Sequence, residues 1–204
     1  GHSLNDAVRS ALEWFLELIE TAPPRQCLPS QAHSRAAHVC FTDASGSGLL
    51  CAVVFRHGEA RPSYTDMAVP ARVLQRLPAR ATQIVVFEAL ATLLAFVTFP
   101  EVFRDADVHL FVDSNSAGGA LLRGFSAAID VRAIAAAFWM SAAEAKTGVW
   151  LSRVDSHANI ADGPTRPDAD TAGSRALTEL RAVYVAPRAA RAAPAPSLAP
   201  PPHS

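Results

Sequence analysis

Four acidic residues stand where acids are costly. Asp43 ends the run Val39-Cys40-Phe41-Thr42, which otherwise has the composition of a central strand. Glu88 is the sole charge between Arg80 and Glu101, inside the most apolar stretch of the chain. Asp113 closes the short apolar run 108–112, and Asp162 lies in Asn159-Ile160-Ala161-Asp162-Gly163, just after the last strand-like segment. An ionised carboxylate in apolar surroundings is expensive unless it is paired or bound to a cation. Converging from strand ends and one helix, such acids form a hard-oxygen cage suited to Mg²⁺ or Mn²⁺. Two ions about 3.5–4 Å apart would activate a water and stabilise the leaving oxygen in phosphodiester cleavage. Singly, each acid also has a plain structural reading: a turn-former at Asp43, helix caps at Asp113 and Asp162, and a partner for a buried arginine at Glu88. Jointly, the pattern favours the metal site.

The elements that must position these acids are legible in the hydrophobic pattern. Leu4, Val8, Leu12, Phe15, Leu16 and Ile19 form one helical stripe over residues 4–20, with Asn5 or Asp6 as caps and Pro23-Pro24 as the stop. Residues 38–42 and 49–55 read as two strands of a hairpin around Ser45-Gly46-Ser47-Gly48, and a third strand is expected near 63–69. A short helix over 71–77 and a long one over 79–99, closed by Pro100, come next. A strand at 108–112 and a helix running from the Asp113-Ser114-Asn115-Ser116 cap to Leu122 follow. A helix over 127–146, a strand over 149–154 and a late helix within 171–185 complete the order. A hairpin-led mixed sheet with helices on its faces fits this order better than a sandwich or a bundle.

Composition narrows the function classes. The chain has 204 residues, is 50% hydrophobic and 18% charged, and carries a net charge of −1. This describes a folded globule and excludes a globally basic nucleic-acid glue. Lys146 is the only lysine, so the other basic residues are arginines. Cys27, Cys40 and Cys51 are an odd number without C-x-x-C spacing and read as buried thiols in a reducing compartment. No export signal is visible, so an intracellular location, cytoplasm or nucleus, is expected. The apolar run 84–99 falls short of the ~20 residues needed to span a bilayer and contains Glu88, so no membrane partner is expected. Trp14, Trp139 and Trp150 lie in apolar patterns and read as core anchors. Arg72, Arg76 and Arg80 recur at helical spacing, as a solvated face or a basic stripe interrupted by Pro78.

Together, the motifs resemble the ribonuclease H family. The resemblance rests on Phe41-Thr42-Asp43-Ala44-Ser45 before a small-residue hairpin, Glu88 in an Ala/Leu helix, Val112-Asp113-Ser114-Asn115 and Asn159-Ile160-Ala161-Asp162. The segment from Val154-Asp155-Ser156-His157 through Gly163-Pro164-Thr165-Arg166 is similar to the end of the ribonuclease H domain in retroelement polyproteins, especially DIRS-like retrotransposons. Leu12-Glu13-Trp14-Phe15 and Pro24-Arg25 resemble the connection joining reverse transcriptase to that domain. The resemblance covers residues 4–166. It implies an α/β ribonuclease H-like fold: a five-stranded mixed sheet, three antiparallel strands first and then parallel ones, with helices on both faces. It also implies a divalent-metal endonuclease that cleaves the RNA strand of RNA–DNA hybrids, with the reverse transcriptase domain of the same polyprotein as a partner. In that pattern Asp43 would bridge two Mg²⁺ or Mn²⁺ ions, Glu88 and Asp113 would complete one, and Asp162 would hold the second.

Around the acids, Ser45, Gly46 and Ser47 offer small side chains that permit close approach of an RNA strand. Asn115 is placed to reach a 2′-hydroxyl or to cap its helix. Asn159 is expected to order the loop carrying Asp162, and Arg166 to meet a phosphate or pair with the acid cluster. His157 lies five residues before Asp162 and is a candidate proton relay or a plain solvated loop histidine. No basic protrusion helix is visible. The chain divides into residues 1–3 as a cloning scar, 4–35 as a connection helix and linker, 36–186 as the ribonuclease H-like domain, and 187–204 as a Pro/Ala-rich disordered tail. The alternatives are a catalytically silent nucleic-acid-binding or scaffold module, and a transposase or exonuclease of the same fold.

Overall fold

The computed structural model describes residues 5–21, 35–167 and 169–187. The chain forms two compact units, Gly1–Ser34 and Arg35–Ser204. In the first, α1 (Asp6–Thr21) is capped by Asn5, whose Oδ1 accepts from the Val8 N–H at 2.9 Å. Val8, Leu12 and Leu16 of the expected stripe are exposed. The Trp14 side chain, Cys27 and the tail beyond residue 187 lie outside the described residues.

The second unit is built on a six-stranded sheet in the order β5-β4-β1-β2-β3-β6. Alternating and continuous apolar runs give β1 (Ala37–Ala44), β2 (Leu49–Phe55) and β3 (Ser63–Ala68), paired antiparallel. Crossovers through helices then add β4 (Asp107–Val112) parallel to β1, and β5 (Gly148–Arg153) parallel to β4. The helices in chain order are α2 (Ala71–Leu74), α3 (Ile84–Thr98), α4 (Pro100–Phe103), α5 (Asn115–Arg123), α6 (Ile129–Glu144), α7 (Asp162–Thr165) and α8 (Ala172–Glu179).

Side-chain alternation divides each strand between two cores. Cys40, Ala52, Val54, Val108 and Leu110 pack with Phe96, Phe99, Phe103 and Phe138 from the α3–α4 and α6 side. Cys51 and Val53 point the other way, onto Ile160, Ala161 and Leu177 of the α7–α8 region. This is the hairpin-led mixed α/β sheet, antiparallel strands first and then parallel ones, that the order of elements predicts. A sixth strand, β6 (Val183–Tyr184), joins β3 in parallel.

Several local expectations change. The long helix starts at Ile84 rather than near residue 79, because Pro78 and the capping contacts before α3 occupy that stretch: Gln83 Nε2 donates to Pro78 O at 2.6 Å, and the Ile84 N–H donates to Thr82 Oγ1 at 3.2 Å. Pro100 closes α3 and also opens α4. The late helix ends at Glu179, and left-handed Arg181 (φ 50°) turns the chain into β6. Cys40 and Cys51 are buried free thiols.

The tryptophan reading fails for Trp150, which is 72% exposed. It sits opposite His109 on the outermost parallel strand, on the face that α7 and α8 leave open. Trp139 is partly exposed, and its Nε1 donates to Leu121 O at 2.7 Å. Arg80 is an ion-pair partner of Asp130, 3.0 Å away, so it does not continue a stripe from Arg72, and α2 ends at Leu74. Among the described residues no helix is long and apolar enough to cross a membrane.

Candidate metal centre

β1 and β4 are neighbours and parallel, so their C-terminal ends open on the same edge of the sheet. Asp43 is the penultimate residue of β1, and Asp113 immediately follows β4. Continuing the pairing Phe41↔Phe111 by two residues sets the two aspartates level. α3 packs against β1 and β2 and brings Glu88 over the same edge, where its carboxylate accepts from the Ala44 backbone N–H. One carboxylate oxygen from each of Asp43, Glu88 and Asp113 lies within 4.8 Å of the others.

The β1–β2 turn is closed by Ser45 N–H to Leu49 O at 2.8 Å and Gly48 N–H to Ser45 O at 3.0 Å. Gly48 has φ +88°, a conformation that disfavours side chains. A Cβ on Gly46 would meet open space, so the turn is exposed and uncrowded there.

Asp162 approaches from the opposite face of the sheet on α7. That helix lies backbone-to-backbone on α8: a Cβ on Gly163 would fall 2.6 Å from the Ser174 nitrogen, and one on Gly173 would fall 2.7 Å from the Ile160 carbonyl oxygen. Asn159 pins the preceding loop to β1, donating from Nδ2 to Thr42 O at 3.0 Å and accepting the Ala161 N–H on Oδ1 at 3.2 Å. At 1% exposure, with both amide ends engaged, Asn159 orders the loop carrying Asp162 and has no amide atom turned to solvent.

Asp162 does not enter the three-acid group. Its Oδ1 pairs with Arg166 Nε at 2.8 Å, while the Arg166 side chain remains 59% exposed beside an open cleft shared with Ser47, Leu49 and Thr165.

The electrostatics are those of crowded, dehydrated acids. Asp43 is 2% exposed and Glu88 5%. Burial, followed by the charges of Asp113 and Asp162, raises Asp43 to about 6, although the Thr165 hydroxyl and Arg166 oppose the shift. Burial, then Asp43 and Asp113, raises Glu88 to about 9. Glu88 Oε2 and Asp113 Oδ1 are buried without a hydrogen-bond partner. Orphaned hard oxygens converging at one point fit a divalent cation, which would relieve the repulsion and satisfy the free lone pairs.

Other expected contacts divide. Ser45 and Ser47 join through their hydroxyls at 2.8 Å at the turn beside Asp43. Ser114 is the cap of α5, accepting the Ala117 N–H at 3.2 Å, so Asn115 is the first helical residue and its side chain is exposed. His157 is exposed in the 3₁₀ turn Ser156–Ala158, and that turn is held by its backbone N–H on Asp155 Oδ1 at 3.0 Å. Thr165 was missed by sequence reasoning. Its buried hydroxyl donates to Asp43 Oδ2 and lies 3.1 Å from the Asp162 carbonyl oxygen. The available signal was a hydroxyl residue one helical turn after an expected ligand.

No protein-family model matches the chain, and a search of curated proteins found no match. Among solved structures, it is similar to RNase H1 from the halophilic archaeon Halobacterium salinarum NRC-1, with 16% identity over 67% of this chain and 100% of the other and a TM-score of 0.47. It is also similar to the N-terminal RNase H domain of a Mycobacterium tuberculosis protein, solved as a fusion with maltose-binding protein. That match has 14% identity over 71% of this chain and 97% of the other, with a TM-score of 0.48.

Proposed function

We propose that this chain is a divalent-metal-dependent endonuclease that cleaves the RNA strand of RNA–DNA hybrids, as the ribonuclease H part of a retroelement reverse transcriptase polyprotein. The observation that carries the reading is the meeting of Asp43, Glu88 and Asp113 with unpartnered buried oxygens at the ends of adjacent parallel strands. The motif order and the segment leading to Arg166 supply the retroelement context.

Asp43, Glu88 and Asp113 would hold one Mg²⁺ or Mn²⁺ ion, and Asp43 with Asp162 a second. Bound there, the cations supply Lewis acidity toward the scissile phosphodiester and lower the pKa of the attacking water. The residues around them orient the strand. The Ser45-Gly46-Ser47 turn would let backbone approach closely, and exposed Asn115 lines a groove with Ser114 and Arg153 from which it would hydrogen-bond a 2′-hydroxyl. Arg166 offers its outer guanidinium nitrogens to a phosphate while Nε steadies Asp162. Exposed His157, in the turn before the Asp162 loop, would stand on the solvent side of the site.

A labelled panel of hybrid, duplex DNA, duplex RNA and single strands, each with Mg²⁺, tests the reading. Cleavage confined to the RNA of the hybrid, leaving 5′-phosphate and 3′-hydroxyl ends, is the expected result. Preferential cleavage of duplex DNA would point to a transposase-like nuclease, and an uncut panel to a silent module; either would overturn the proposal.

A further inference from the structure

α7 and α8 pack on the sheet face that carries Phe41, Asp43, Cys51 and Val53, and α7 with the loop before it touches β1 at two polar points. One is the Asn159 clasp on the Thr42 carbonyl. The other is Thr165, 3% exposed, whose hydroxyl reaches the Asp43 carboxylate across 122 residues of sequence. Among the described residues, no other side chain hydrogen-bonds that carboxylate.

We infer that Thr165 is a positioning residue for the metal centre: its hydroxyl fixes Asp43 so that the carboxylate presents its other oxygen to Glu88 and Asp113. The inference rests on the reading of the three acids as a cation site.

The physical argument has three parts. A hydroxyl has a single proton, and two oxygens compete for it here, Asp43 Oδ2 and the Asp162 carbonyl. A charged acceptor makes the stronger bond, so the proton goes to Asp43 and the carbonyl contact is secondary. That choice leaves Asp43 acceptor-only at Oδ1 and suppresses rotation of the carboxylate about its last bond, which is otherwise a broad torsion. Rotational order at a ligand is gained before the cation arrives, which is how outer partners of ligands act in metal sites generally. The same hydroxyl ties Asp43 to the helix that begins at Asp162, so the three-acid group and the fourth acid share one rigid support.

Two substitutions in the full chain separate this role from packing. Thr165→Val keeps the shape and removes the donor, while Thr165→Ser keeps the donor and removes a methyl. Titration with Mn²⁺ alone, followed by calorimetry, is the primary readout, with the melting temperature in chelator and the kinetics of hybrid cleavage alongside. The Val variant should bind Mn²⁺ ~10-fold more weakly, in keeping with losses at outer-partner sites. It should also lose kcat more than it raises KM. The Ser variant should return affinity to within about threefold of the parent, even where its melting temperature is the lower of the two.

Mn²⁺ affinity in the Val variant equal to that of the parent would overturn the role assigned to Thr165 while leaving the metal site standing. Loss of affinity in both variants in step with melting temperature would also overturn it, as a packing effect. If the parent protein binds no Mn²⁺, the cation-site reading fails first and the role of Thr165 falls with it.

Discussion

Asp43→Asn will abolish hybrid cleavage, lowering kcat by ~10³-fold or more, without unfolding the protein. Asp113→Asn will behave alike. The substitution keeps the size of the side chain and an oxygen able to accept from Thr165, so the α7–β1 junction is retained. It removes the charge at the centre of the acid group, where burial and the neighbouring Asp113 and Asp162 already work against ionisation. The metal-free variant should therefore melt no lower than the parent at pH 8, and circular dichroism should be unchanged. Retention of parental activity in both variants would remove these acids from the chemistry.

The second large effect is on stability, and its sign is fixed by the raised acids. Asp43 at about 6 and Glu88 at about 9 both lie above the ordinary carboxylate value near ~4. Between about 4 and 9 the folded state retains protons that the unfolded chain has lost, so stability falls as pH rises. In chelator, the melting temperature should decline across that window, and Glu88→Gln should flatten the decline. A cation reverses the trend, because it requires the ionised acids and binding releases protons. At about 100 times its dissociation constant, Mg²⁺ or Mn²⁺ adds about 2.7 kcal/mol. For a domain of this size that is a rise of roughly 5–11 °C, larger at pH 8 than at pH 6. A melting temperature in chelator that climbs with pH would contradict the crowded-acid description, as would indifference to both cations.

Much of this is legible in the amino-acid sequence, for identifiable reasons. The β1–β2 hairpin is announced by local chemistry, because apolar runs flank a turn containing Gly48, where φ is positive. Asp43 and Glu88 are conspicuous because a charge in an apolar run has few tolerable explanations. Arg166 was expected to meet a phosphate or to pair with the acids, and its Nε lies 2.8 Å from Asp162, four residues earlier.

What escaped was whatever depends on partners distant in sequence. Thr165 is an ordinary hydroxyl residue until α7 lands on β1. Asn159 is polar and yet buried, because a carbonyl at Thr42 and an amide at Ala161 receive it. Trp150 was misread because Val149-Trp150-Leu151 is an apolar run. Only the sheet order reveals that β5 is an edge strand, where Trp150 is left exposed. The Asp162 side chain pairs with Arg166 and stands outside the three-acid group, a pairing that no pattern of spacing distinguishes from metal ligation.

Diffraction from crystals grown with saturating Mn²⁺, collected for anomalous signal, tests the cation site most directly. The expected result is a peak coordinated by carboxylate oxygens of Asp43, Glu88 and Asp113 at metal–oxygen distances of ~2.0–2.3 Å. Density with no peak at that point, or with manganese bound elsewhere and these three acids untouched, would contradict it.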